Sequence, residues 1–341
     1  MEILEQELLD WVNQESRKMG LTKFSHLKPL RIEASKRRYY RVENKEQSLI
    51  ANTLTPKEND NHRFFVLSSL FLKNGVSVPK VFAFNPTKGF LLQEDFGDII
   101  YQFHLNKFNS DELFSSAIDE ILLIQKIPYN EELFPALDKK RAIKEMRLFD
   151  IWFLEGLLNW QNSNRKISNL SKFLGNIYQI IWAKLHEQPQ TLCHFDFETR
   201  NLMVLKDSAG VIDFQDALIG PVTLDLVSLL KDLYRPLSLK KIKEYIALYF
   251  NQSLEEGILN DVDIKKFTLW FEWTGIQRQL RIMGTLSRLY LRDGNSNRLL
   301  DLEITLEYLI KASNRLEGMQ EFRDFLIEIK PSLLEYLRSF K

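Results

Sequence analysis

From residue 97 to residue 341 the chain runs in long helical patterns, and one segment breaks them: LCHFDFETRNLMVLKDSAGVIDFQDALIGP, residues 192–221. NLMVL and VIDF are strand-like, and KDSAG between them has the composition of a tight connection. The segment therefore reads as an antiparallel hairpin set into a helical domain. The first hundred residues have the opposite character. LKPLRIEAS, RYYRV and SLIANTL are short strand-like runs separated by breaks. NDNHRFFVLSSLFLKNG reads as a helix, with Asn59 or Asp60 as cap, a stripe of Phe64, Leu67 and Phe71, and Gly75 at its end. VPKVFAF and FLLQEDF follow, joined by NPTKG. The predicted fold class is α+β: a small antiparallel β-sheet lobe with one helix over residues 1–96, and a large, mainly helical lobe over 97–341.

Composition narrows the functions open to such a chain. With 341 residues, 45% of them hydrophobic and 24 phenylalanines, it can bury two cores. Lysine plus arginine equals aspartate plus glutamate at 46 each, which argues against nucleic acid as a partner. The single cysteine excludes an intramolecular disulfide, and the acidic start MEILEQELLDW lacks the features of a signal peptide. No apolar run reaches the roughly 18 residues that span a bilayer. A cytoplasmic protein with no membrane or obligate protein partner is expected.

The polar residues of the hairpin carry the chemistry. Asn201 and Asp213 are each six residues from Asp207, so an ideal hairpin sets them opposite one another. An amide oxygen beside a carboxylate suits magnesium, which takes a few hard oxygen ligands and shares the rest with water and phosphate. Asp216 is a possible further ligand. Asp196, five residues before Asn201, stands where it can take a proton from a hydroxyl.

HFDFETRN followed by DFQD matches the pattern H-x-D-x-x-x-x-N with D-F-x-D. The chain resembles the protein-kinase-like superfamily and, within it, the aminoglycoside phosphotransferase group of small-molecule kinases. EASKRRYYRV, GFLLQEDFGD, EMRLFDIWFLE, GVIDFQDALIGPVTLDLVSLLKD and GIQRQLRIMGTLSRLYLRDG are similar to a subgroup, the bacterial anomeric kinases of N-acetylmuramate and N-acetylglucosamine. The resemblance implies a bilobal kinase fold using ATP and Mg2+. Adenine is expected to meet the hinge backbone at Glu94, Asp95 and Phe96. Asp196 is the implied base, Asn201 and Asp213 the implied magnesium ligands, and the implied acceptor is the C1 hydroxyl of a wall sugar being recycled. Asp225 is expected to brace the catalytic-loop backbone, and His194 to order that loop.

Two departures matter. Phe195 stands where protein kinases usually carry arginine, and only ALIGPVTL separates Asp216 from Asp225, leaving no room for a peptide-docking segment. The acceptor is therefore expected to be small. The third strand, SLIANTL, lacks the lysine of the V-A-I-K pattern. Ser35, Lys36, Arg37 and Arg38 crowd the neighbouring loop instead, and Arg38, with Arg37 in reserve, is expected to meet the phosphates. The alternative is a solvated basic turn.

Glu145, Arg147, Asp150, Trp152 and Glu155 can reach a sugar, or simply line an amphipathic helix; Arg278 and Arg281 share that ambiguity. His26, His62, His104 and His186 lack ligand spacing, and Cys193 reads as a buried, reduced core residue. Two rival functions stand beside the sugar kinase. One is a kinase of another small hydroxyl compound, such as an aminoglycoside or amino alcohol. The other is a nucleotide-binding pseudokinase, motivated by the missing lysine.

Overall fold

The computed structural model describes residues 2–30, 38–53, 61–129, 131–160 and 169–340. Ser35, Lys36 and Arg37, and the cap candidates Asn59 and Asp60, lie outside the described residues. In chain order the elements begin with α1 (Glu2–Lys18), β1 (Lys28–Pro29), β2 (Arg38–Glu43), β3 (Ser48–Thr53), α2 (Asn61–Lys73), β4 (Val81–Asn85) and β5 (Phe90–Glu94). Next come α3 (Tyr101–His104), α4 (Ser110–Lys126), α5 (Lys139–Met146), a π-helical stretch at Phe149–Leu157 and α6 (Leu170–His186). Four short strands follow: β6 (Gln190–Cys193), β7 (Leu202–Val204), β8 (Ala209–Val211) and β9 (Leu218–Pro221). The chain closes with α7 (Leu224–Leu230), α8 (Leu239–Glu255), α9 (Ile264–Asp293), α10 (Asp301–Arg315) and α11 (Gln320–Leu337). The fold is α+β, and the chain forms two compact units, Met1–Ile127 with Arg200–Asp216, and Pro128–Thr199 with Ala217–Lys341.

In the first unit, five antiparallel strands pair in the order β1-β2-β3-β5-β4. Successive side chains of a strand point to opposite faces. Tyr40, Val42, Leu49, Ala51, Phe90 and Leu92 share one face, which packs on Leu8, Trp11 and Val12 of α1. The sequence reading began with strands; the amphipathic opening is in fact a helix whose apolar stripe roofs this face. The opposite face carries Arg41, Ile50, Asn52, Leu91 and Gln93, with Ile50 paired to Gln93 and Asn52 to Leu91. Sequence character changes at residue 97, yet the hairpin β7–β8 belongs to this unit. Val204 N–H donates to the Ile99 carbonyl at 2.8 Å, and Val211 N–H to the Ser77 carbonyl at 2.7 Å. Phe214, just beyond β8, stacks on Phe64 with ring centroids 4.4 Å apart.

The second unit is built around α9, 30 residues long, capped by the Asp263 side chain on Lys266 N–H and ended by Gly294 at φ 69°. Gly284 is where α9 meets the segment leading into the π-helical stretch. A Cβ there would lie 2.2 Å from the Leu148 carbonyl carbon, so no larger residue fits without moving backbone. β6 and β9 pair antiparallel, and the loop after β6 carries Asp196.

Candidate functional site

In the first unit, the stretch that follows β5 is held by an arginine that sequence reasoning passed over. Arg41 donates through Nε to Asp95 at 2.6 Å, through Nη1 to Asp98 at 2.8 Å, and through Nη2 to the Gly97 carbonyl at 3.1 Å. Asp95 also accepts from the Ser48 hydroxyl. Burial alone would push the Asp95 carboxyl up, but Arg41, Ser48 and the Gly97 N–H outweigh it and hold the group below the ordinary carboxylate range. The Asp95 side chain is thus committed to the protein, and what this stretch offers a ligand is backbone. Phe96 lies against Gly210, where a Cβ would come within 2.7 Å of its ring. Glu94 accepts from the Lys80 backbone N–H at 3.2 Å.

Arg41→Ala leaves Asp95 buried without its cation, so roughly 3 kcal/mol of stability should be lost at neutral pH. Because the Asp95 pKa is depressed in the fold, the pair's contribution is present above the ordinary carboxylate range and lost as pH falls through the depressed value. Urea melts at neutral and at strongly acidic pH check this: the gap between variant and wild type should narrow in acid.

Arg38 requires a correction. Strand alternation places it with Tyr40 on the α1 face, where its guanidinium hydrogen-bonds the Tyr40 hydroxyl. It therefore faces away from Asn52 and Gln93, and the expected phosphate contact does not follow from its position. Asn52, on β3 where a lysine was sought, is 1% exposed, and Gln93, at the end of β5, is 7% exposed. Among the described residues, neither side-chain oxygen has a hydrogen-bond partner. Buried amide oxygens are rarely left unpaired. Diagonal neighbours on one sheet face, these two acceptors can receive N–H or O–H groups of a ligand.

The hairpin differs from the expected register by one residue. Leu202 pairs with Val211 and Val204 with Ala209, which sets Asn201 opposite Ile212, whose N–H donates to the Asn201 carbonyl at 3.0 Å. Asp213 lies one step beyond, at φ 64°. A one-residue slip normally sends a side chain to the other face; the left-handed backbone at Asp213 takes the residue out of the ladder. Asn201 is buried, whereas Asp213 and Asp216 are exposed. Asp213 accepts from the Gln215 amide at 2.7 Å, and Arg63 of α2 donates to the Gln215 carbonyl at 2.8 Å. No cluster of three or more histidine, cysteine or acidic side chains stands ready for a metal among the described residues. The donor set of one amide and exposed carboxylates suits magnesium better than a caged ion, since magnesium keeps waters and binds with phosphates.

In the second unit the backbone of the loop after β6 is pinned from α7. Buried Asp225 accepts the N–H of His194 at 2.6 Å and of Phe195 at 2.9 Å. Asp232, which sequence reasoning missed, accepts both the N–H and the hydroxyl of Thr199, at 2.7 and 2.6 Å. Two buried carboxylates thus hold the loop at both ends, and Phe195 is bent into a left-handed conformation, φ 82°. His194 is fully buried, edge-on to Phe197. Asp196 is partly exposed, and two arginines of α9 converge on its Oδ1: Arg281 at 2.5 Å and Arg278 at 3.7 Å. Arg278 also pairs with Glu198 at 2.6 Å, donates to the Phe195 carbonyl and is 1% exposed. Its guanidinium is spoken for within the protein, so the sugar contact expected of it gives way to bracing the loop.

Arg147, Asp150 and Glu155 meet around one cavity of about 540 Å³, with Asn159, Trp160 and Ser171 also on its walls. The π-helical stretch widens the turn here, a feature frequent at functional sites. Asp150 accepts from the Tyr178 hydroxyl at 3.0 Å and faces Arg147 at 3.5 Å. Burial pushes its carboxyl up, against the pull of Tyr178 and Arg147. Arg147 is 56% exposed and can turn to an anion.

The model of a family described as "Phosphotransferase enzyme family" matches residues 26–258. The N-acetylmuramate/N-acetylglucosamine kinase of Pseudomonas aeruginosa is 30% identical over 305 residues, 89% of each chain. The enzyme of the same name from Neisseria meningitidis is 28% identical over 302 residues, 87% of this chain and 88% of that one. Among solved structures, an ADP-bound aminoglycoside phosphotransferase superposes with a TM-score of 0.57 at 16% identity, covering 90% of this chain and 98% of that one.

Proposed function

Because the chain belongs to the phosphotransferase enzyme family, we propose that it is an ATP- and magnesium-dependent kinase that phosphorylates the C1 hydroxyl of N-acetylmuramate and N-acetylglucosamine. The observation that carries the reading is the likeness to kinases so named over nearly nine-tenths of both chains. In this reading Asp196 orients the sugar hydroxyl and takes its proton. The hydroxyl oxygen forms a bond to the γ-phosphorus while the bridging bond to the β-phosphate oxygen breaks, releasing ADP. Asn201 and Asp213, with Asp216 as a further ligand, hold magnesium, which neutralises phosphate charge when bound. The hinge backbone from Glu94 to Phe96 and the amides of Asn52 and Gln93 take the nucleoside. The C1 hydroxyl of a reducing sugar is more acidic than an ordinary alcohol, so one carboxylate suffices as base. Arg147, exposed at its cavity, meets the lactyl carboxylate of N-acetylmuramate. The reaction belongs in the cytoplasm, where ATP is available to recycled wall sugar.

The test is a phosphate-acceptor screen with purified protein, ATP and magnesium. Both sugars should yield an acid-labile, alkali-stable 1-phosphate, and the methyl glycoside blocked at C1 should yield none. Phosphorylation of the methyl glycoside, or of kanamycin in preference to both sugars, would overturn the assignment to C1.

A further inference from the structure

We propose that Arg281 is a positioning residue for Asp196: it fixes the rotation of the carboxylate so that the base meets the acceptor hydroxyl in one orientation. The proposal rests on the reading of Asp196 as that base. Its own support is geometric. Arg281 donates from Nη2 to Asp196 Oδ1 at 2.5 Å, across 85 residues of sequence. Its guanidinium lies 4.1 Å from the centroid of the Phe195 ring, and that of Arg141 lies 5.0 Å from the same ring. Phe195 is 7% exposed, and its N–H is bound by Asp225, so the platform beneath the guanidinium is itself immobile. The loop position where protein kinases usually carry arginine is thus an aromatic seat for an arginine delivered from α9.

Arg278 and Arg281 are three residues apart and share a helix face, but their tasks differ. Arg278 is 1% exposed and joins the Phe195 carbonyl to Glu198, inside the scaffold. Arg281 retains 17% exposure and its closest ion pair is with Asp196 itself. A planar guanidinium can stack on the ring and donate in its own plane at once; an ammonium keeps the charge but not the stack. A carboxylate whose Oδ1 is held by a donor seated on a ring keeps its direction when the acceptor arrives, and catalytic groups held in the productive orientation are what lower the barrier.

The experiment measures turnover and nucleotide binding for Arg281→Ala, Arg281→Lys, Asp196→Asn and the Arg281→Ala, Asp196→Asn double variant. Arg281→Ala should lower kcat about ten- to a hundredfold with KM for ATP unchanged, within the range seen when positioning is lost. Arg281→Lys should recover part of that loss, and added guanidinium should recover part of it in Arg281→Ala alone. In the Asp196→Asn background, Arg281→Ala should cost nothing more, because residues acting as a unit are not additive. If Arg281→Ala fails to fold, the lysine variant carries the same comparison. Wild-type kcat in the folded Arg281 variants, or an equal further loss in the Asp196→Asn background, overturns the proposal. Full turnover by Asp196→Asn removes the base reading beneath it, a separate outcome.

Discussion

Asp196→Asn is expected to lower turnover on the order of 10²–10⁴-fold, the usual range for loss of positioned acid–base help. The amide keeps the size of the side chain and can still meet a donor, but it cannot take the sugar proton. Nucleotide affinity should barely change, because Asp196 is read as facing the acceptor. The local fold should survive as well: the loop is pinned through the backbone of His194 and Phe195 by Asp225 and through Thr199 by Asp232, none of which depends on the Asp196 carboxylate. Turnover measured beside an ADP titration and a thermal melt separates these effects. Near-normal turnover in the variant sinks the assignment of the base.

Asp213→Ala is expected to abolish most magnesium-dependent nucleotide binding and turnover together, since it removes a charged hard-oxygen ligand. Asn201→Ala should act in the same direction but more mildly, because a neutral ligand is lost. The two also differ structurally. Asp213 is exposed at the end of the hairpin, where its Oδ1 accepts from the Gln215 amide, so its removal should leave the melt unchanged in the absence of ligand. Asn201 is 5% exposed, and its truncation opens a small buried gap. Thermal shift with ATP, with and without magnesium, reads both effects. If magnesium helps ATP stabilise Asp213→Ala as much as wild type, Asp213 is not the ligand.

The residue types of the candidate site are legible in the sequence because their signals are short-range. HFDFETRN and DFQD set residue types at fixed offsets, and strand-like runs on either side of KDSAG place them on one hairpin. The antiparallel sheet was legible for a similar reason, since apolar runs broken at regular intervals bury one face of a strand pair. The role of Asp225 came from resemblance, and the two N–H groups it receives agree with it. The hairpin register was misjudged by one residue. Symmetric counting assumes regular backbone to the end of the ladder, and Asp213 leaves that regime at φ 64°.

What the sequence by itself determined is the set of chemical groups and their local order: acidic residues and an amide around one hairpin, a sheet-rich opening without a third-strand lysine, and helices after it. Only the tertiary structure decided which of the many arginines do what. Arg38 and Arg41 sit in one strand three residues apart, and alternation sends Arg38 to the α1 face and Arg41 to Asp95 after β5. Arg278 and Arg281 looked alike as candidate sugar contacts, and the packing of α9 gave one to Glu198 and the other to Asp196. An arginine's side chain is long and its pattern in sequence carries no address. For Arg41, Arg278 and Arg281 the partner is chosen by helix and strand packing over separations of 54 to 85 residues, which no local periodicity encodes.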